Sequence, residues 1–323
     1  MIAVIRARLR ALILWLAITV SCVIIIAWAP QARLLLYKPN PDTPIDLNQP
    51  PDSEIPIPKR IWQVFFPPPS TTIIEDGFMH ANKWIEMAPG YTYTLVGSTE
   101  AEAFLAAHFA DRPEIASTCH ALKNPALKSD VLRYLLLYIH GGIYSDVDTK
   151  PLVRLDAWVP AQKRREVRLL LALEYDEAEE PNPSDFVYPV QFCQWTIAAA
   201  PNHTVFARMV DRMLAGLQDV ADHQSTTLDK AYLSDFDVVN TAGPVAWTEV
   251  VFQLLQEVDR RVKGYGDLMR MGGPRYYGDV SVLPLETFRA DYLDDWGVSW
   301  RKGRNALVRH FFKGAWKTPP GVR

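Results

Sequence analysis

The stretch Ala126-Leu-Lys-Ser-Asp-Val-Leu-Arg-Tyr-Leu-Leu-Leu-Tyr-Ile-His-Gly-Gly-Ile-Tyr-Ser-Asp-Val-Asp148 passes from an apolar helical pattern, through two glycines, into a short apolar run ending in two carboxylates. The helix is punctuated at both ends. Asn124 is placed to cap it, Pro125 takes the first helical position, and Gly141 stands where a left-handed C-cap belongs. That predicts one helix of about four turns. Residues 131–139 are nearly all apolar, so the helix is expected to be packed on two or more sides. After the glycines, alternation predicts a strand with Ile143, Ser145 and Val147 on one face and Tyr144, Asp146 and Asp148 on the other. Both acids then point the same way, about 7 Å apart along the backbone.

Two hard oxygen donors so placed suit Mn2+ or Mg2+, with phosphate oxygens of a bound substrate completing the coordination. One polar island interrupts the helix, where Asp130 and Arg133 share a face. Two readings stand open for it. The pair is either a structural ion pair, or Asp130 accepts hydrogen bonds from a ribose or base while Arg133 faces a phosphate.

Residues 128–148 resemble the signature of the glycosyltransferases with a DXD sugar-binding region, the group that includes the fungal initiation-specific α-1,6-mannosyltransferases of the Golgi. That group reads approximately Ala-x-x-Ser-Asp-x-x-Arg-Tyr-x-x-Leu-x-x-x-Gly-Gly-x-Tyr-x-Asp-x-Asp. Further blocks resemble it in the same order. Ile57-Pro-Lys-Arg-Ile-Trp-Gln63 is similar to its opening strand, Gln194-Trp195 with Pro201-Asn-His203 to a second block, and Thr241-Ala-Gly-Pro244 to a Thr-Gly-Pro turn with one extra residue. His310-Phe-Phe-Lys-Gly-Ala-Trp-Lys317 is similar to a closing His-His-x-x-Gly-Ser-Trp-Lys, with Phe311 in place of the second His and Ala315 in place of the Ser.

The resemblance implies a GT-A-like nucleotide-diphospho-sugar transferase fold, a single Rossmann-like α/β/α sandwich. It implies a metal held by Asp146, Asp148 and His310, with Trp62 near the base. Asp130, Arg133, Tyr144, Trp316 and Lys317 become candidate contacts to the donor. It further implies transfer of a hexose, mannose from GDP-mannose, to a glycan or glycolipid acceptor with retention of configuration. By residue chemistry alone, Trp62 reads equally well as core and a lone histidine such as His310 as structural.

Other acids read less sharply. Glu174 follows the apolar run 169–173 and is expected near a strand end, where it contacts sugar or acceptor or merely begins the acidic loop 176–180. Asp235 and Asp237 form a second Asp-x-Asp with no such context and read as a surface turn leading into a helix. Pro201-Asn-His203 reads as a helix-start turn before 205–217. With a helical pattern at 245–262 and a late strand at 280–285, the chain predicts an α/β sandwich on a mixed, mainly parallel sheet.

With 34 basic and 37 acidic residues in 323, nothing suggests a nucleic-acid partner. Arg6, Arg8 and Arg10 precede an uncharged stretch at 11–29 that spans about 28 Å as a helix, enough for a hydrocarbon core. Residues 1–10 are therefore expected to be a cytoplasmic tail, 11–29 a signal anchor, 30–54 a Pro-rich stem and 55–323 a lumenal catalytic domain. That is a single-pass type II Golgi membrane protein, open to partners in a glycosyltransferase complex. Ala27-Trp-Ala29 also resembles a signal-peptidase site, but Pro30 and the length of the apolar run favour an uncleaved anchor. Only Cys119 and Cys193 are candidates for a lumenal disulfide, and Asn202-His-Thr204 is the sole glycosylation sequon. Competing functions are a membrane-anchored hydrolase using Asp146 and Asp148 as acid and base or nucleophile, and a non-catalytic subunit.

Overall fold

The computed structural model describes residues 56–66, 80–179, 186–288 and 306–312, all within one compact unit, 50–323. The expected anchor and stem, Ala315, Trp316 and Lys317 lie outside the described residues. Among the described residues no helix is long and apolar enough to cross a membrane.

The first part of the chain runs β1 (Arg60–Val64), α1 (Ala81–Met87), β2 (Thr92–Val96), α2 (Ser98–His108), α3 (Pro113–Ala121) and α4 (Pro125–His140). It continues through β3 (Gly142–Ser145), β4 (Thr149–Pro151), β5 (Leu169–Asp176), β6 (Val190–Phe192) and β7 (Thr196–Ala199). The last part is α5 (Thr204–His223), α6 (Asp235–Thr241), α7 (Pro244–Val258), β8 (Arg275–Tyr277), β9 (Val280–Leu283) and β10 (Val308–His310). The main sheet has the order β2-β1-β3-β7-β5-β9-β8, with β6 added to β5, while β4 and β10 form a separate ribbon.

The α/β architecture agrees with expectation, but the sheet is not mainly parallel. Its three parallel pairings, β1 with β2 and β3, and β5 with β9, are matched by four antiparallel ones. The cause is β7, which inserts antiparallel between β3 and β5. On one face Ile61, Ile143, Leu170, Ala198 and Leu283 pack against Trp84, Trp158, Trp195 and Phe288. On the other, Trp62 and Tyr144 turn toward α4, and Tyr134, Trp247 and Phe206 stack in series from α4 through α7 to α5.

Helix α4 forms as its punctuation dictates. The Asn124 side chain accepts from the N–H groups of Ala126 and Leu127, and Pro125 begins the helix. Leu127, Val131, Leu132, Leu135, Leu136 and Leu137 are all buried, and each fully buried leucine contributes about 1.5–3 kcal/mol over an exposed one. A single residue then joins helix to strand. Gly141 sits at φ 62°, ψ −163°, a glycine region distinct from the expected left-handed helical cap. A Cβ there would meet the Pro201 nitrogen at 2.6 Å and the Ala199 carbonyl at 2.7 Å. Gly141→Ala is therefore expected to lower stability by about 2–4 kcal/mol, measured as a fall in the urea midpoint.

At the helix end His140 stacks on Trp62 and meets His108 edge-on, and its buried Nε2 has no hydrogen-bond partner among the described residues. Burial pushes its pKa down to about 4, with His108 and Arg60 adding to the effect. The folded state then binds fewer protons than the unfolded one between pH 4 and 6.5, so stability is complete above about 6.5 and falls as pH drops through that window. A loss of roughly 1–3 kcal/mol is expected from pH 7 to pH 4. In His140→Phe the thermal unfolding midpoint should depend less on pH over this range.

Candidate metal centre

Strand β3 stops at Ser145, one residue short of the two acids. Asp146, Val147 and Asp148 form a turn in which the Thr149 N–H returns to the Asp146 carbonyl at 3.2 Å. The expected pleat through Asp148 is thus replaced by a bend, because donors converge on that carbonyl. Gln63 Nε2 donates to it at 2.9 Å, and the Thr149 hydroxyl donates as well. Behind the bend, Ser145 Oγ lies 2.8 Å from Thr149 Oγ1 and 2.6 Å from Thr196 Oγ1, and all three residues are fully buried. The Asp146 N–H donates to the Trp195 carbonyl at 2.9 Å, which carries the β3–β7 ladder one step past the strand.

The chain resumes as β4, and β10 pairs with it antiparallel so that His310 lies opposite Thr149. This places His310 Nε2 3.1 Å from Asp148 Oδ1, and the Phe311 N–H donates to the Asp148 carbonyl at 2.9 Å. One donor atom each from Asp146, Asp148 and His310 then lie within 4.8 Å of one another.

Asp146 is braced from α4. Arg133 Nη2 is 2.9 Å from Asp146 Oδ1 and 2.8 Å from Asp130 Oδ1, with the guanidinium over the Tyr144 ring at 4.7 Å. The Tyr144 hydroxyl donates to the same Asp146 oxygen at 2.6 Å. Burial pushes the carboxyls of both Asp130 and Asp146 up, and the Arg133 charge opposes it. One guanidinium between two carboxylates leaves a negative charge unbalanced, and Asp148 adds another. Two negative charges, carboxylate oxygens and an imidazole nitrogen fit a divalent cation such as Mn2+. Arg133 and Tyr144 both act on Oδ1 of Asp146.

Several expectations change. Asp130 and Arg133 are both buried and joined as an ion pair, which the link to Asp146 extends. Arg133 reaches two carboxylates, Asp130 and Asp146. Trp62 is 2% exposed and donates to the Gly141 carbonyl at 2.8 Å, so the structure places it in the core. Its neighbour Gln63 is the residue of β1 that reaches the turn. Glu174 lies inside β5, not at its end, and accepts from Trp195 Nε1 and Gln191 Nε2, both at 2.9 Å. Cys119 and Cys193 are free and buried. His203 caps α5, and Asp237 joins Ser234 in a capping box at α6, as helix-start turns should. Sequence reasoning missed Gln63, Ser145, Thr149 and Thr196; hydroxyl and amide side chains inside otherwise apolar strands were the available signal.

Removing the brace should expose its role. In Arg133→Met a buried carboxylate, Asp130, and a half-buried one, Asp146, lose their cation, and a destabilisation of about 2–4 kcal/mol is expected by urea denaturation. Adding Asp130→Asn should restore part of that loss.

Residues 78–165 match the family described as the glycosyltransferase sugar-binding region containing a DXD motif. The match takes in Asp146 and Asp148 but ends well before His310. An initiation-specific α-1,6-mannosyltransferase of Schizosaccharomyces pombe is 31% identical over 81% of this chain, which spans 64% of that protein's own length. One of Candida albicans is 27% identical over 82% of this chain and 74% of that protein. Among solved structures, the PaToxG glycosyltransferase aligns with 17% identity and a TM-score of 0.46, over 64% of this chain and 73% of that one.

Proposed function

We propose that this chain, whose residues 78–165 match the glycosyltransferase sugar-binding region containing a DXD motif, is a glycosyltransferase that transfers mannose from GDP-mannose to an acceptor hydroxyl with retention of configuration. One observation carries the reading: two half-buried acids of one turn and a histidine from a distant strand converge on one point. The names of the S. pombe and C. albicans relatives support mannose as the sugar.

Asp146, Asp148 and His310 would hold Mn2+ or Mg2+ there. When bound, such an ion supplies positive charge against the charge that develops on the β-phosphate of the departing nucleotide. The chain's own residues prepare that place. Arg133 and Tyr144 keep Asp146 oriented, Gln63 and the buried hydroxyls hold the turn, and the β10 ribbon delivers His310. A departing phosphate oxygen can accept the acceptor's proton, so no separate general base is required.

A hydrolase would use Asp146 and Asp148 as acid and base or nucleophile. The convergence of His310 on both acids suits a metal site better, since an imidazole beside two carboxylates supplies a third ligand. A non-catalytic role gains little from Phe311. Its link to Asp148 is made by the backbone N–H, which any residue there would supply, while its ring stacks on His80. We further place the protein in the Golgi membrane, with 11–29 as the anchor, 30–54 as the stem and 55–323 in the lumen, on the charge and hydropathy of residues 1–54.

The test is calorimetric titration of the full-length chain in detergent with GDP-mannose, UDP-galactose and UDP-N-acetylglucosamine, with and without Mn2+. GDP-mannose should bind only with Mn2+, and Asp146→Ala with Asp148→Ala should weaken binding at least about 100-fold. Absence of binding by every donor to the intact chain would sink the transferase reading.

A further inference from the structure

We propose that Trp195, pinned by Glu174, positions two of the three candidate ligands, Asp146 and His310, and that Glu174 acts through this tryptophan and not by touching substrate. The inference rests on the reading above, that these residues hold a divalent cation.

Trp195 lies just before β7 and is 4% exposed. Its backbone carbonyl accepts the Asp146 N–H at 2.9 Å, and its ring lies against the His310 ring with centroids 4.4 Å apart. One residue therefore touches ligands that arrive from β3 and from β10. The indole N–H is held by Glu174 Oε1 at 2.9 Å, and Glu174 Oε2 is held in turn by Gln191 Nε2 at 2.9 Å.

Two features show that this is a built arrangement. The β5–β6 ladder shifts register between Leu173 and Tyr175, which makes Glu174 the extra residue of a bulge. Bulges re-aim a side chain, and here the carboxylate is aimed at the indole. The second feature is His310 Nδ1, which is buried and finds no hydrogen-bond partner among the described residues. A metal-ligating histidine ordinarily has its second nitrogen held by a carboxylate, carbonyl or water, which fixes the ring. In this site the ring is fixed by packing instead, between Trp195 and Phe312, whose centroid is 4.0 Å away. An indole free to swing would release that ring. Glu174 is thus a positioning residue.

The experiment measures Mn2+ affinity of the full-length protein by electron paramagnetic resonance of free Mn2+, with no donor present. Glu174→Ala and Trp195→Phe should each weaken Mn2+ about 10-fold, and the double variant should be no weaker than either single one, because both cut the same connection. Glu174→Gln should stay within about 3-fold of the intact protein, since its amide oxygen still accepts the indole N–H. Ser234→Ala, which removes the cap of α6, controls for lost stability and should bind Mn2+ as the intact protein does. Unchanged affinity in Trp195→Phe, or Glu174→Gln as weak as Glu174→Ala, would overturn the inference. If the intact protein takes up no Mn2+, the metal reading itself fails and this inference with it.

Discussion

A buried guanidinium is the constraint from which the rest of the site follows. Three carboxylates cannot share a desolvated corner without a compensating cation, because burial penalises each charge severely. Arg133 supplies that cation from the middle of α4, reaching Asp130 on its own helix and Asp146 beyond the next strand. The distance is met only if helix and strand are held in a fixed relation. The apolar faces of α4 hold the helix, and Gly141 makes the connection in one residue against Ala199 and Pro201. Core packing and site chemistry are therefore one geometric problem in this part of the chain.

The bend after Ser145 solves another part of it. On a continued strand the two acids would stand about 7 Å apart along the backbone on one face, and His310 would have no place fixed beside them. With the chain folded back on the Asp146 carbonyl, donor atoms of Asp146, Asp148 and His310 come within 4.8 Å of one another. Neutral groups hold this bend, namely the Gln63 amide and the hydroxyls behind it. They satisfy the buried backbone without adding charge beside the carboxylates.

Much of this was legible in the sequence where the signal is local. Asn124, Pro125 and Gly141 bound α4 as their types require, and the capping residues His203 and Ser234 start helices where expected. What failed was long-range. Alternation continues unbroken from Ile143 to Asp148, so nothing local reveals that Gln63, on another strand, helps end β3. The same period of two places Trp62 and Gln63 on opposite faces without saying which face meets the site. Arg133 could be read toward a phosphate or toward a carboxylate, and only the fold shows Asp146 at its tip. The antiparallel insertion of β7 between β3 and β5 left no trace in the pattern of apolar runs. His310 was found through resemblance, since its strand and its partner are 162 residues apart.

That separation has a consequence for biogenesis. A ribosome adds about 5–20 residues per second, so roughly 10–30 s pass between the appearance of Asp148 and that of His310. All nine earlier strands have been made by then. The nascent chain can assemble its main sheet and bury its arginine while still lacking the imidazole, and it closes its grip on an ion only when the last ribbon docks. The three candidate ligands therefore come together only in a nearly finished molecule, and a chain cut short before β10 would lack the histidine.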